Sequence, residues 1–278
     1  MTRGKAVGLS AAFFFSGFAV SFALITFLAL LLWDGQVPGT LEAATLQTAV
    51  MLPVFGIATW LFGVRAARLQ PDDLRWRGGV GSAFRGLAVG GVPATLVMVA
   101  AVPVAGAGWS LDGGSVGAWL ATLPLLLTVL LPAAFLEELI FRGVPLVLLA
   151  RRFGRPFAVV ATSLLFGLVH LLNPSVTALA VGNVALAGVF LGVVFYLPGG
   201  LWIATGAHLG WNLLQAALAA PVSGLTLNIP WLDYSPGGPA WLSGGRFGPE
   251  GGVLATAVLA LSILLAARFN EGNKEKFA

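Results

Sequence analysis

Long apolar runs alternate with short polar breaks along this chain, and the runs have the length of membrane spans. About twenty mostly apolar residues, rising roughly 1.5 Å each, cross the hydrocarbon layer of a bilayer. Eight stretches qualify: 8–33, 44–64, 87–109, 116–150, 156–172, 176–197, 201–220 and 252–267. The breaks hold glycine, proline and charge, and no repeat or long linker divides the sequence. The pattern predicts an all-α fold, a polytopic membrane helical bundle of about eight transmembrane helices. Its first run exceeds the roughly 7–15 apolar residues of a signal peptide and is expected to remain as a span.

Charge then orients the bundle. Basic residues crowd alternate breaks: Arg65, Arg68, Arg75, Arg77 and Arg85 (with Asp72 and Asp73), then Arg151, Arg152 and Arg155, then Arg268, Lys274 and Lys276. The other breaks carry Asp34 and Glu42, Asp112, and Asp233, Arg246 and Glu250. The positive-inside rule therefore predicts a multi-pass protein of the cell membrane with both termini cytoplasmic. Composition agrees, with 58% hydrophobic and only 9% charged residues. The net charge of +4 reads as topology, so the expected partner is the bilayer and not nucleic acid. Cysteine is absent, which removes disulfides, thiolate ligands and cysteine nucleophiles together. Two breaks stay open to two readings. Residues 71–85 form either a short interfacial helix or a plain basic loop. Residues 221–251 either cap a chamber or are simply anchored by interfacial tryptophans.

Ionisable groups inside the apolar runs carry the chemistry, because burying them in lipid is costly and such groups usually mark function. They fall in three blocks: Glu137-Glu138 with Arg142, then Phe166 with His170, then His208 with Asn212. Glu138 precedes Arg142 by four residues, the favourable order for a helical ion pair. Glu137 lies about 100° further round the helix and is left without a partner in that block. A carboxylate unpaired in a low-dielectric site suits a general base. Counted from the turn near 151–156, Glu137 and His170 lie about equally far back along a hairpin. His208 and Asn212 share a face, with Asn212 near the depth of His170 and His208 about 6 Å short of it. One acid, two imidazoles and an amide suit addition of water to a carbonyl, with donors for the developing oxyanion. Glu137, His170 and His208 equally form a common zinc set. Phe166 and Trp211 read as wall residues, Asn183 as a helix contact, and Gly182, Gly188 and Gly192 as close-packing positions.

Glu-Glu-x-x-x-Arg, Phe-x-x-x-His and His-x-x-x-Asn, in that order and each on a membrane helix, resemble the CPBP intramembrane protease family. This family includes type II CAAX prenyl endopeptidases and the Abi and bacteriocin-processing proteins. The resemblance implies a four-helix catalytic core within 111–220, variable N-terminal helices and an interfacial segment over 1–110, and a non-cytoplasmic loop with the last helix over 221–278. It implies an endopeptidase acting on a membrane-associated or lipidated protein or peptide. Glu137 would be the base and His170 its partner, Glu138 and Arg142 would organise the site, and His208 with Asn212 would bind the oxyanion. Zinc chemistry and a metal-free glutamate mechanism both remain as versions. Two other functions compete: a silent scaffold or immunity protein on the same fold, and a proton-coupled transporter. The transporter would be expected to show inverted repeats or broken helices in corresponding halves, and the sequence shows neither clearly.

Overall fold

The structure is a computed structural model that describes residues 1–33, 39–76 and 78–276, with side chains as far as 270. Asp34 and Arg77, and the side chains of Lys274 and Lys276, which the charge pattern invoked, lie outside the described residues. Helices dominate: α1 (Arg3–Trp33), α2 (Thr40–Ala58, continued by a wider turn over Thr59–Ala66), α3 (Gly79–Ala105), α4 (Val116–Arg142), α5 (Val144–Phe153), α6 (Arg155–Val169), α7 (Ala178–Phe195), α8 (Gly200–Ala217), α9 (Ala240–Ser243) and α10 (Val253–Lys276). Among the described residues seven helical segments are long and apolar enough to cross a membrane. The eighth expected span, α8, forms as a helix but falls outside that set. Its position explains this. All of residues 203–211 are buried, so α8 is surrounded by other helices and has little need of an apolar, lipid-facing surface.

The expected fourth span divides in two. Pro145 has no N–H to donate to the carbonyl of Phe141, and the helix stops at Arg142 before restarting at Val144. The amphipathic α5, buried from Val144 to Leu149, lies between α4 and α6 and packs on α6. The simple α4–α6 hairpin used to match the depths of Glu137 and His170 is therefore corrected: α6 pairs chiefly with α5 and α7.

Residues 71–85 contain no interfacial helix among the described residues. Pro71–Arg75 is a tight turn in which the Gln70 N–H bonds Asp73 Oδ2 at 2.7 Å, the main reason the Asp73 carboxyl is held below its ordinary pKa. Val80 and Phe84 already belong to α3, which begins eight residues earlier than the pattern suggested because glycine-rich 78–81 still supports helix.

The tightest helix pair is α3 with α8, and glycine permits it. A Cβ on Gly90 would sit 1.8 Å from the Ala207 carbonyl oxygen, and one on Gly206 would sit 2.0 Å from that of Ala83. Backbone therefore rests on backbone, which is the dominant way membrane helices gain packing energy without a hydrophobic drive. Gly188 and Gly192 play the same part against Ser163 and Val159 of α6, whereas Gly182 faces open space and is no packing position.

The 221–251 connection folds onto the bundle. Its strand β2 (Leu232–Ser235) pairs antiparallel with β1 (Gly108–Leu111), pairing Gly108 with Ser235 and Leu111 with Leu232, a small sheet that the all-helical reading did not foresee. Trp119 and Trp109 donate to the last carbonyls of α8, Ala217 at 2.7 Å and Leu218 at 2.8 Å. These tryptophans cap a helix end, where four carbonyls would otherwise lack partners.

Gly90→Val is expected to lower the thermal midpoint of the detergent-solubilised protein by several degrees, since overpacking costs about 1–3 kcal/mol or more. Gly182→Ala should leave the midpoint within about 1 °C, because nothing stands in its path. Equal sensitivity of the two positions would refute the assigned contact.

Candidate active site

Four helices converge on one arginine. Arg142, at the end of α4, is 1% exposed. Its Nη1 donates to Glu138 Oε1 at 3.0 Å and its Nη2 to the Gly188 carbonyl of α7 at 2.9 Å. Its guanidinium stands 4.8 Å from the centroid of the Phe166 ring on α6. The same Glu138 oxygen accepts from His208 Nδ1 of α8 at 2.9 Å. A carboxylate partner requires the proton on Nδ1, so neutral His208 presents Nε2 as its lone pair. That nitrogen points to the other carboxylate, 3.7 Å from Glu137 Oε2.

The paired acids thus have opposite surroundings. Glu138 is wholly buried and engaged by Arg142 and His208. Glu137 keeps a third of its side chain accessible and lines a cavity, while Oε2 of each acid has no hydrogen-bond partner. The 100° step between adjacent helical residues produces this split: Glu138 turns into the helix junction and Glu137 towards a cavity.

That cavity has a volume of about 650 Å³. Glu137, His170, His208 and Asn212 all line it. His170 stands at the C-terminal end of α6, its Nδ1 2.7 Å from the Phe166 carbonyl. A carbonyl can only accept, so Nδ1 carries the proton and Nε2 is free to accept one. Phe166 touches both imidazoles, 4.7 Å from His170 and 5.9 Å from His208 between ring centroids, so it is a hub as well as a wall. Among the described residues His208 is the imidazole beside both acids, while His170 shares the cavity with Glu137. Asn212, half-buried, lies one turn further along α8.

Among the described residues no three His, Asp or Glu side chains are grouped to hold a metal ion. Glu137, His170 and His208 share a cavity, and each imidazole is oriented through Nδ1, by a carboxylate or a backbone carbonyl, with its Nε2 left available.

A further buried acid escaped the sequence reading. Glu250, treated there as a loop charge, is 6% exposed and lines the same cavity. Its Oε2 accepts from Trp211 Nε1 at 2.9 Å and Gln215 Nε2 at 3.4 Å, and its Oε1 from the backbone and hydroxyl of Ser223. Trp211 and Gln215 continue the α8 face that bears His208 and Asn212, so Glu250 locks that face to the connecting loop. Asn183 completes the lock by donating to the carbonyls of Glu250 and Gly252, each at 2.8 Å, while Thr256 donates to its Oδ1 at 2.6 Å. The one signal available in the sequence was the pair Trp211 and Gln215, spaced four apart along α8.

No curated protein and no solved structure matches the chain. Residues 118–214, which contain every one of the three motif blocks, match the family model described as type II CAAX prenyl endopeptidase Rce1-like. The buried acid pair and its histidines therefore sit inside the part of the chain that resembles a CAAX-type membrane protease domain.

Proposed function

We propose that the protein is an intramembrane endopeptidase in which Glu137 activates the attacking water. The observation that carries this reading is the asymmetry of the acid pair: Glu138 is wholly buried and engaged through Oε1 by Arg142 and His208, whereas Glu137 keeps a third of its side chain accessible at the cavity wall.

In this reading Glu137 takes a proton from water as the water oxygen bonds to the substrate's carbonyl carbon. The carbonyl oxygen becomes an oxyanion, and the Asn212 amide is the donor available to it on the same wall. Protonated Glu137 then returns its proton to the departing amine as the C–N bond breaks, leaving a carboxylic acid and an amine. His208 has its ring orientation set by Glu138 and presents Nε2 as an acceptor towards Glu137 once Glu137 holds the proton from water. His170, with Nε2 free, holds the water or accepts a proton in transit. Phe18, Met51 and Phe141 provide apolar walls that suit a membrane-associated peptide or its lipid anchor. Glu138 and Arg142 act through the residues they hold. The whole sequence is written without a metal.

Glu137→Gln should reduce cleavage of a membrane-anchored peptide by at least about a hundredfold, the lower range for a general acid–base group, with the thermal midpoint preserved. Retention of most activity would mean that another group serves as base. Asn212→Ala should lower kcat by roughly 10²–10³ with a smaller effect on KM, as for loss of an oxyanion donor. An effect confined to KM would assign Asn212 to binding instead. A strong zinc chelator should leave the rate unchanged in purified protein. Loss of activity restored by added zinc would overturn the metal-free step.

A further inference from the structure

Glu250 is buried at the cavity, yet it has no lone pair to spare for chemistry. A carboxylate offers about four acceptor positions. Here Oε1 receives the backbone N–H and the hydroxyl of Ser223, and Oε2 receives the indole of Trp211 and the amide of Gln215. The two oxygens lead to different parts of the site. From Oε2 the bonds enter α8, where Trp211 adjoins Asn212 and follows His208 within one turn. From Oε1 they pass through Ser223, whose carbonyl accepts from Asn173 Nδ2 at 2.8 Å. The Asn173 N–H in turn closes on the carbonyl of His170 at 3.1 Å. One side chain thus stands between the two segments that bear the imidazoles and the amide of the cavity.

The turn that carries Glu250 is firmly held. Asn183 of α7 donates to the carbonyls of Glu250 and Gly252, and the Gly224 N–H donates to the Phe247 carbonyl at 2.7 Å. A Cβ on Gly248 would sit 2.2 Å from the Pro221 carbonyl oxygen. Ser223 adopts a φ of 49°, in the left-handed region, while both of its donors face the carboxylate. A residue with a Cβ keeps that conformation only where its surroundings over-determine it.

We infer that Glu250 is a positioning residue for the reaction, the joint that sets the His170 wall of the cavity against the wall formed by His208 and Asn212. Its kinetic consequence rests on the proposed hydrolysis, whereas the joint itself rests on the hydrogen bonds alone. Separation of the two walls decides where water and carbonyl meet, and a misplacement of about 1 Å can cost a hundredfold in rate. Glu250 lies beyond residue 214, where the match to the family model ends, so the 221–251 connection supplies a working part that the matched segment lacks. The carboxylate is specifically required. A glutamine of equal length has one oxygen and a donating nitrogen, which would face either the two donors of Ser223 or those of Trp211 and Gln215. One wall is then released while the other stays tied.

Glu250→Gln in the purified full-length protein tests the joint by amide hydrogen exchange and by kinetics. The turn at 170–173, the α8 stretch 208–217, or both should exchange about tenfold faster than in the wild type, with the buried α5 unchanged. For a membrane-anchored peptide, kcat should fall about tenfold or more while KM stays within about twofold. A merely structural role would lower yield or thermal midpoint and leave the kcat of the folded protein intact. Trp211→Phe serves where the first variant does not fold, since it keeps an aromatic ring and the bonds from Ser223 while removing one donor. It should speed exchange in 208–217 alone and lower kcat about tenfold, an effect that shrinks to about threefold or less once Asn212 is already alanine. Unchanged exchange in the folded variants, or unchanged kcat beside an active wild type, would overturn the inference. Local loosening as expected in a wild type that cleaves nothing would instead remove the hydrolytic reading and leave the joint in place.

Discussion

A guanidinium cannot be left alone in a membrane bundle, and the organisation of this protein follows from how Arg142 is satisfied. Removing an ion from water costs several kcal/mol even after relaxation, and removing one partner of a buried pair leaves the other uncompensated. Arg142 meets the cost with partners from four helices: Glu138 on α4, the Gly188 carbonyl on α7, the Phe166 ring on α6 and, through the shared carboxylate, His208 on α8. The planar fork of arginine reaches the carboxylate and carbonyl from different nitrogens while its face lies over an aromatic ring, which a lysine could not reproduce. The junction also decides the chemistry. By consuming Glu138 it leaves the adjacent Glu137, a step of about 100° round the helix, as the acid facing the cavity.

α8 is held between two different kinds of contact. On one side its backbone lies against α3 through Gly90 and Gly206, next to His208 in sequence. On the other its polar face meets Glu250, delivered by a loop that folds back from the bundle's end. Backbone packing fixes the position of the helix, and the carboxylate fixes its rotation. The two together give His208 a defined approach to both acids. They also account for the composition of α8, where glycine, alanine, His, Asn and Gln stand among its bulky aliphatics.

Much of the architecture was legible in the sequence, and the failures have identifiable physical causes. The long apolar runs and alternating basic breaks announced a polytopic helical bundle, and the spacing of Glu138 and Arg142 announced their ion pair, seen at 3.0 Å. The break at Gly143 was missed because composition stays apolar through Val144–Leu149, although Pro145 was the available warning. The β1–β2 pair was missed because four-residue strands in a glycine- and proline-rich loop leave almost no periodic trace. Gly182 and Gly90 look alike in one dimension, yet one faces open space and the other a carbonyl oxygen at 1.8 Å.

What the amino-acid sequence determined by itself were properties set locally: helix length against bilayer thickness, the four-residue step between ion-pair partners, and the one-sided distribution of basic charge. The tertiary structure alone decided that Glu138, and not Glu137, accepts from His208 70 residues away, that Arg142 bonds a carbonyl 46 residues away, and that Glu250 turns inward. Those outcomes depend on how each helix is rotated about its own axis. Rotation is set by the shapes of neighbouring helices, and no local periodicity reports it.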